Sequence, residues 1–204
     1  MSKPMTQREM SAKGGKAGAG KPKIRTTEHT RNAAAGRWGK IPSDIENYLA
    51  SEKCDGIRAF WTGSEFMTRH GNILNAPNWF KSEMPSVRLD GELWMGRGTF
   101  ATLQSRIQTK GGDWDGIRFA IFDLAVLRMT TTERIAELQT IALPAHCEIV
   151  AHVEVSAESL DAMESDIVAN GGEGACLRHK EENYRPTNFI KVKRLYPDLE
   201  RWQG

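Results

Sequence analysis

The chain has 204 residues and a mass of 22.8 kDa, enough for one ordinary domain with a buried core plus an extension. With 39% hydrophobic and 26% charged residues it is close to the globular average, which excludes collagen-like, wholly disordered and disulfide-scaffold classes. The net charge of +2 conceals an asymmetry: residues 1–40 carry ten Lys/Arg against two Asp/Glu, net +8, whereas residues 41–204 carry 18 against 24, net −6.

Residues 1–40 read as a basic flexible N-terminal extension. A basic block beside a mildly acidic domain points to a polyanionic partner, nucleic acid first, because cationic arms release counterions from phosphates; a solvated leader is the plainer alternative. Within it, SAKGGKAGAGKPK (11–23) has almost nothing to bury. Gly15 to Lys21 matches the G-x-x-x-x-G-K pattern of a P-loop. Pro22, however, stands where a Ser or Thr hydroxyl is needed, and no apolar strand precedes the match. Residues 26–40 are expected to form a short helix from Thr27 that orders on binding. No apolar run reaches the roughly 18 to 20 residues of a membrane helix, and the N-terminus lacks a secretory hydrophobic segment, so a cytoplasmic protein is expected. Cys54, Cys147 and Cys176 form no C-x-x-C pair and are expected to be free thiols.

From Tyr48 onward the pattern is short apolar strands separated by turns: YLASEKC, IRAFW, the Thr62-Gly63-Ser64 turn, EFMTR and VRLDGELW. Helices follow. Residues 99–109 align Phe100, Leu103 and Ile107; residues 130–140 open with a Thr130/Glu133 capping box; residues 157–170 align Leu160, Met163 and Ile167 before Gly171. Between them lie the strands FAIFDLAV, CEIVAHVEV, EGACLR and NFIKVKR. The class is α+β, with largely antiparallel sheets and packed helices, over residues 41–204.

Lys53-Cys54-Asp55-Gly56-Ile57-Arg58 joins two strands and presents a lysine, a carboxylate and an arginine around a glycine turn. A lysine amine is a nucleophile only when unprotonated, and nearby cations such as Arg58, Lys191 and Lys193 would lower its pKa. The K-x-D-G pattern alone is weak. Its specificity comes from the order in which it is followed: LDGEL (89–93), FAIFDL (119–124), EGACLR (173–178) and Lys191-Val192-Lys193.

This series resembles the nucleotidyltransferase domain of the covalent nucleotidyltransferase superfamily, which contains ATP-dependent DNA ligases, RNA ligases and mRNA capping enzymes. The likeness is strongest to minimal bacterial and phage ATP-dependent DNA ligases and covers about residues 48–194. It implies an ATP-grasp-like adenylation domain that seals 5′-phosphate/3′-hydroxyl nicks in duplex DNA, as a monomer, in replication, repair or recombination. Lys53 would attack the α-phosphate of ATP to form lysine-AMP. Arg58 and Glu92 would hold the ribose, Phe122 would stack on adenine, and Glu173 and Asp55 would bind magnesium, replaceable by manganese. Lys191 and Lys193 would neutralise the α-phosphate, and Arg69 would grip the 5′-phosphate of the nick. The residue types suit the chemistry, since nucleotidyl transfer needs cationic stabilisation of phosphate oxygens and hard oxygen ligands for magnesium.

Plainer readings exist: Phe122 as core, Glu92 and Asp123 as strand-end charges, Arg178 as a surface ion pair. The ordered motifs outweigh them. They do not do so for Trp61, Trp79, Trp94 or the five histidines, which are expected to pack or to face solvent, and Cys54 reads as a small packing residue. Ligases of this kind continue into an OB-fold domain. Only LYPDLERWQG follows residue 194 here, too little for that domain, so the expectation is a single-domain enzyme, a truncated chain, or a domain supplied by a separate polypeptide. The alternatives to a DNA ligase are an RNA ligase or guanylyltransferase, or a non-catalytic nucleic-acid-binding relic.

Overall fold

The computed structural model describes Arg37–Trp38 as backbone, residues 41–109 and residues 111–192. The 11–23 segment, the P-loop-like match, most of 26–40 and Lys193 lie outside the described residues. The elements in chain order are β1 (Arg37–Trp38), a 3-10 turn (Ile45–Asn47), β2 (Tyr48–Glu52), β3 (Ile57–Trp61), β4 (Phe66–Thr68), α1 (Asn78–Lys81), β5 (Leu89–Trp94) and α2 (Phe100–Gln108). They continue with β6 (Arg118–Leu124), α3 (Thr131–Leu138), β7 (Cys147–Ile149), β8 (His152–Glu154), α4 (Ala157–Ala169), β9 (Ala175–His179) and β10 (Ile190–Val192). No described helix is long and apolar enough to cross a membrane.

The strands form two sheets, ordered β1-β10-β9-β2-β8 and β4-β3-β5-β6-β7. Pairing is antiparallel except for β1 with β10 and β6 with β7. Residues 26–40 therefore do not form one helix throughout: Arg37–Trp38 is extended and paired with Ile190 and Lys191, so the first sheet reaches back past residue 41. CEIVAHVEV also differs from its expected single strand. The chain leaves β7 on one sheet and enters β8 on the other, crossing at Val150–Ala151.

The helices follow their local signals. In α3, Thr130 Oγ1 accepts from the Glu133 N–H at 3.3 Å while Glu133 Oε2 accepts from the Thr130 N–H at 2.8 Å. In α4, Ser156 and Ser159 cap each other reciprocally, and Gly171, at φ +80°, ends the helix. The short helix α1 carries no capping side chain and was not legible in the sequence.

Each sheet buries one face. Ala50, Leu177 and Ala175 of the first sheet pack on Leu160 of α4, with Ile45 and Val155. The second sheet buries Trp61, Phe66, Leu89, Leu93, Phe119 and Ile121 against Phe80, Leu103 and Leu138. Its centre is aromatic: the Phe66 ring meets Phe119 edge-on at 5.0 Å and Trp61 at 4.9 Å. Because strand side chains alternate, the opposite faces of both sheets are left for other work.

Candidate active site

Directly paired residues share a face, which assigns Ser51, Lys53, Cys176, Arg178, Lys191 and His152 to the face of the first sheet turned away from α4. On the second sheet, Arg58 pairs with Glu92, and Phe60 with Asp90, on the face turned away from the aromatic core. Side chains from the two faces meet. The Arg178 guanidinium lies 4.7 Å from the Phe122 ring centroid and 3.8 Å from Asp123, and Arg58 lies 5.3 Å from the Phe189 ring.

Lys53 follows β2. Its N–H donates to the carbonyl of Gly174 at 2.8 Å, which draws the turn before β9 against it and brings the Lys53 ammonium onto Glu173 Oε2. Gly174 has φ +141°, a backbone conformation that side-chain-bearing residues rarely adopt. Burial alone would lower the Lys53 pKa, but the hydrogen bond and charge of Glu173 outweigh it and hold the ammonium above its ordinary range. The expected cationic depression of Lys53 is therefore not the balance in this structure. Lys191 takes that effect instead: burial, then the charge of Lys53, pushes its pKa down.

Gly56 explains the glycine of the motif. A Cβ there would stand 2.2 Å from the Leu93 carbonyl oxygen and 2.7 Å from Glu92 Cγ, so only glycine lets the turn lie against β5. The Gly56 N–H donates to Glu92 Oε1 at 3.2 Å. Burial pushes the Glu92 carboxyl up to about 7, against the opposing pull of Lys53 and Arg58. Arg58 itself bonds Asp90 with both arms, at 3.0 and 2.6 Å, and pairs with Glu92 only in strand register.

Phe122 stands on a bulge. Between Gly91↔Ile121 and Asp90↔Asp123, β5 advances one residue and β6 two, leaving Phe122 as the extra residue. The bulge places Phe122 and Asp123 on the site side, while Leu124 returns to the core opposite Leu89. Phe122 is half-buried, not a sealed core residue.

Asp123 and Arg178 are not surface groups: they are 4% and 5% exposed. Arg134 of α3 grips both Asp123 oxygens, at 2.6 and 3.1 Å, and donates to the carbonyls of Met129 and Glu182. Tyr184 donates to Asp90 at 3.0 Å. Sequence reasoning missed Asp90, Arg134, Tyr184 and Phe189 as parts of this assembly. The available signal was the Asp of LDGEL and of FAIFDL, each a charge inside an otherwise apolar strand and so in need of a partner.

Arg69 lies just past β4, the edge strand of the second sheet, is exposed, and donates to His70 at 3.0 Å. Asp55 occupies the turn between Lys53 and Gly56. Among the described residues no three His, Cys, Asp or Glu side chains converge to hold a metal ion. Glu173 and Asp55 are hard oxygen donors of the kind magnesium takes, one or two at a time, completing its shell with phosphate and water. Cys54 is half-buried and in neither apolar cluster; burial, then Glu92 and Glu52, push its thiol up to about 12. All three cysteines are free.

Comparison with models of protein families finds no match. The chain is 29% identical, over 157 residues, to a DNA ligase of Haemophilus influenzae, covering 73% of this chain and 59% of that protein, so it spans well under two thirds of that relative. Among solved structures, a Lig E DNA ligase is 33% identical, with a TM-score of 0.72 over 78% of this chain and 67% of the other. The Chlorella virus DNA ligase-adenylate shares the fold at 20% identity, TM-score 0.66, over 79% of this chain and 68% of the other. The ATP-dependent DNA ligase of bacteriophage T7, in complex with ATP, does so at 16% identity, TM-score 0.54, over 78% and 67%.

Proposed function

The chain belongs to the DNA ligase family, and from that premise we propose that it carries the nucleotidyl-transfer chemistry of an ATP-dependent enzyme sealing 5′-phosphate/3′-hydroxyl nicks in duplex DNA. The observation that carries this reading is the pairing of Lys53 with Glu173, 120 residues away, on the face that opposes Arg58 and the bulged Phe122. A nucleophile, a carboxylate, cations and an aromatic surface thus share one space between two rigid sheets.

Lys53, once neutral, attacks the α-phosphorus of ATP; the P–N bond forms, the bond to pyrophosphate breaks, and lysine-AMP results. AMP then passes to the 5′-phosphate of the nick, and the 3′-hydroxyl displaces it. Glu173 holds the resting ammonium, and the charge of Lys53, after burial, keeps the Lys191 pKa below its ordinary value. Lys191 and Lys193 bind the phosphate oxygens, Arg58 and Glu92 orient the ribose, and Phe122 stacks on the base. Glu173 and Asp55 would hold magnesium, which supplies charge neutralisation at the phosphates. Arg69 is suited to the 5′-phosphate by its guanidinium fork.

The test is to incubate the protein with magnesium and ATP labelled in the α-phosphate, look for a covalent adduct, and then add nicked DNA or nicked RNA. An adduct at Lys53 whose label moves to nicked DNA is expected. No adduct with any nucleoside triphosphate would overturn the reading, and transfer to RNA alone would reassign the substrate.

A further inference from the structure

The connection from β9 to β10, residues 180–189, is pinned to the start of α3. The carbonyl of Glu182 accepts from Arg134 at 3.1 Å and from Thr131 Oγ1 at 3.3 Å, and Asn183 bridges to Thr130. Backbone held in this way brings two aromatic side chains to Arg58 and its partner. The Phe189 ring lies 5.3 Å from the Arg58 guanidinium, and Tyr184 donates to Asp90 Oδ2, 94 residues away in the chain, at 3.0 Å.

Asp90 Oδ2 is the same oxygen that accepts from Arg58 Nη2 at 2.6 Å, while Oδ1 accepts from Arg58 Nε at 3.0 Å. Asp90 is 1% exposed and Tyr184 6%, so neither presents surface to a substrate; the Arg58 side chain keeps 20% of its own. A guanidinium carries five N–H donors, of which Asp90 takes two and leaves the others for a ligand. Where those others point depends on the plane of the Asp90 carboxylate. The torsion that sets this plane is soft, and a carboxylate gripped by one arginine turns together with it. Tyr184 supplies a third donor from a separate part of the chain, which fixes the carboxylate and the fork upon it. Burial, then the charge of Asp90, push the Tyr184 hydroxyl above its ordinary range, so it keeps its proton and donates.

We propose that Tyr184 is a positioning residue for nucleotide binding: through Asp90 it fixes the orientation in which the Arg58 guanidinium meets the nucleotide. The inference rests on the reading that ATP modifies Lys53 and that Arg58 contacts its ribose.

Tyr184→Phe removes the hydroxyl and keeps the ring against Arg134. The experiment follows formation of the covalent Lys53 adduct, by protein mass, as a function of ATP concentration. The variant should need about tenfold more ATP for half-maximal rate, the size expected for one hydrogen bond to a charged group. Its rate at saturating ATP should stay within about twofold of the wild type, because the lost contact orients the nucleotide before reaction. In an Arg58→Lys background, which already lacks the fork, the same change should raise half-saturating ATP by less than about twofold. A tyrosine that only braced the β9–β10 connection would lower the melting temperature and the yield of active protein while leaving half-saturating ATP unchanged, and that result would overturn the inference. Equal effects of Tyr184→Phe in both backgrounds would also overturn it. Half-saturation of Arg58→Lys equal to that of the wild type would instead defeat the placement of Arg58 on the nucleotide, and absence of any adduct in the wild-type protein would defeat the assignment of ATP.

Discussion

Glu92 sits where desolvation and two cations pull in opposite directions, and desolvation wins. Its folded-state pKa of about 7 lies above the ordinary 4.5, so between those values the folded protein holds a proton that the unfolded chain has released. Stability from this group is present below about pH 4.5 and is lost as pH rises through 7. Glu92→Gln keeps an oxygen for the Gly56 N–H and removes the titration. Urea denaturation at pH 5 and pH 8 should show the variant gaining on the wild type by up to about 3 kcal/mol at the higher pH; parallel profiles would contradict the assignment. Lys53 shows the reverse balance, since Glu173 raises its pKa despite burial. Titrating its reactivity with an amine-acylating reagent should give a lower midpoint in Glu173→Gln than in the wild type. An unchanged midpoint would mean that Glu173 does not hold the ammonium. Lys53→Ala should form no nucleotide adduct while melting near the wild-type temperature, because Lys53 lies outside both apolar clusters.

At the scale of elements, the link between α3 and the bulge of β6 decides where Phe122 points. The capping box starts α3 so that Arg134, one turn in, reaches Asp123 beside Phe122. Arg134 is 2% exposed and fully engaged by carboxylate, carbonyl and hydroxyl oxygens. Arg134→Met would leave the buried Asp123 with the Leu124 N–H at 2.9 Å and the longer contact to Arg178 as its remaining partners. A loss of about 3–5 kcal/mol in denaturant unfolding is expected, partly recovered by adding Asp123→Asn, because the penalty comes from an uncompensated buried charge. If the double variant were as unstable as the single one, reduced packing would be the larger effect.

For the whole molecule, charge is distributed unevenly along the chain. Residues 1–36 carry eight Lys/Arg against two Asp/Glu, and the residues after position 40 carry net −6. We expect the basic segment to supply phosphate contacts to DNA. Deleting residues 1–36, which spares the β1 pairing with β10, should weaken binding to nicked DNA at low salt. The log-log salt slope should flatten by about 0.9 for each phosphate that the segment neutralises in the full chain. Adduct formation at Lys53 should persist, since the site is built from β2, β3, β5, β6, β9, β10 and their connections, all of which the deletion retains. Binding isotherms at several salt concentrations separate this from a passive leader, for which the two slopes would coincide.

The sequence by itself determined the order of the five motifs, the capped start of α3, the glycine end of α4 and most strands, because each is written in local turn chemistry and in alternation of period two. IRAFW and Phe100–Gln108 lie where the pattern places them. Only the tertiary structure decided that CEIVAHVEV serves two sheets, since alternation says which side a residue faces but not which partner strand it joins. It also decided the bulge at Phe122, which exists only in register with β5, and the burial of Arg178, Asp123 and Asp90. The balance at Lys53 and Glu92 belongs to the same class. Lys53 and Glu173, 120 residues apart, act on one another only once the chain has closed around them, because desolvation and Coulomb attraction depend on distance in space and not along the chain.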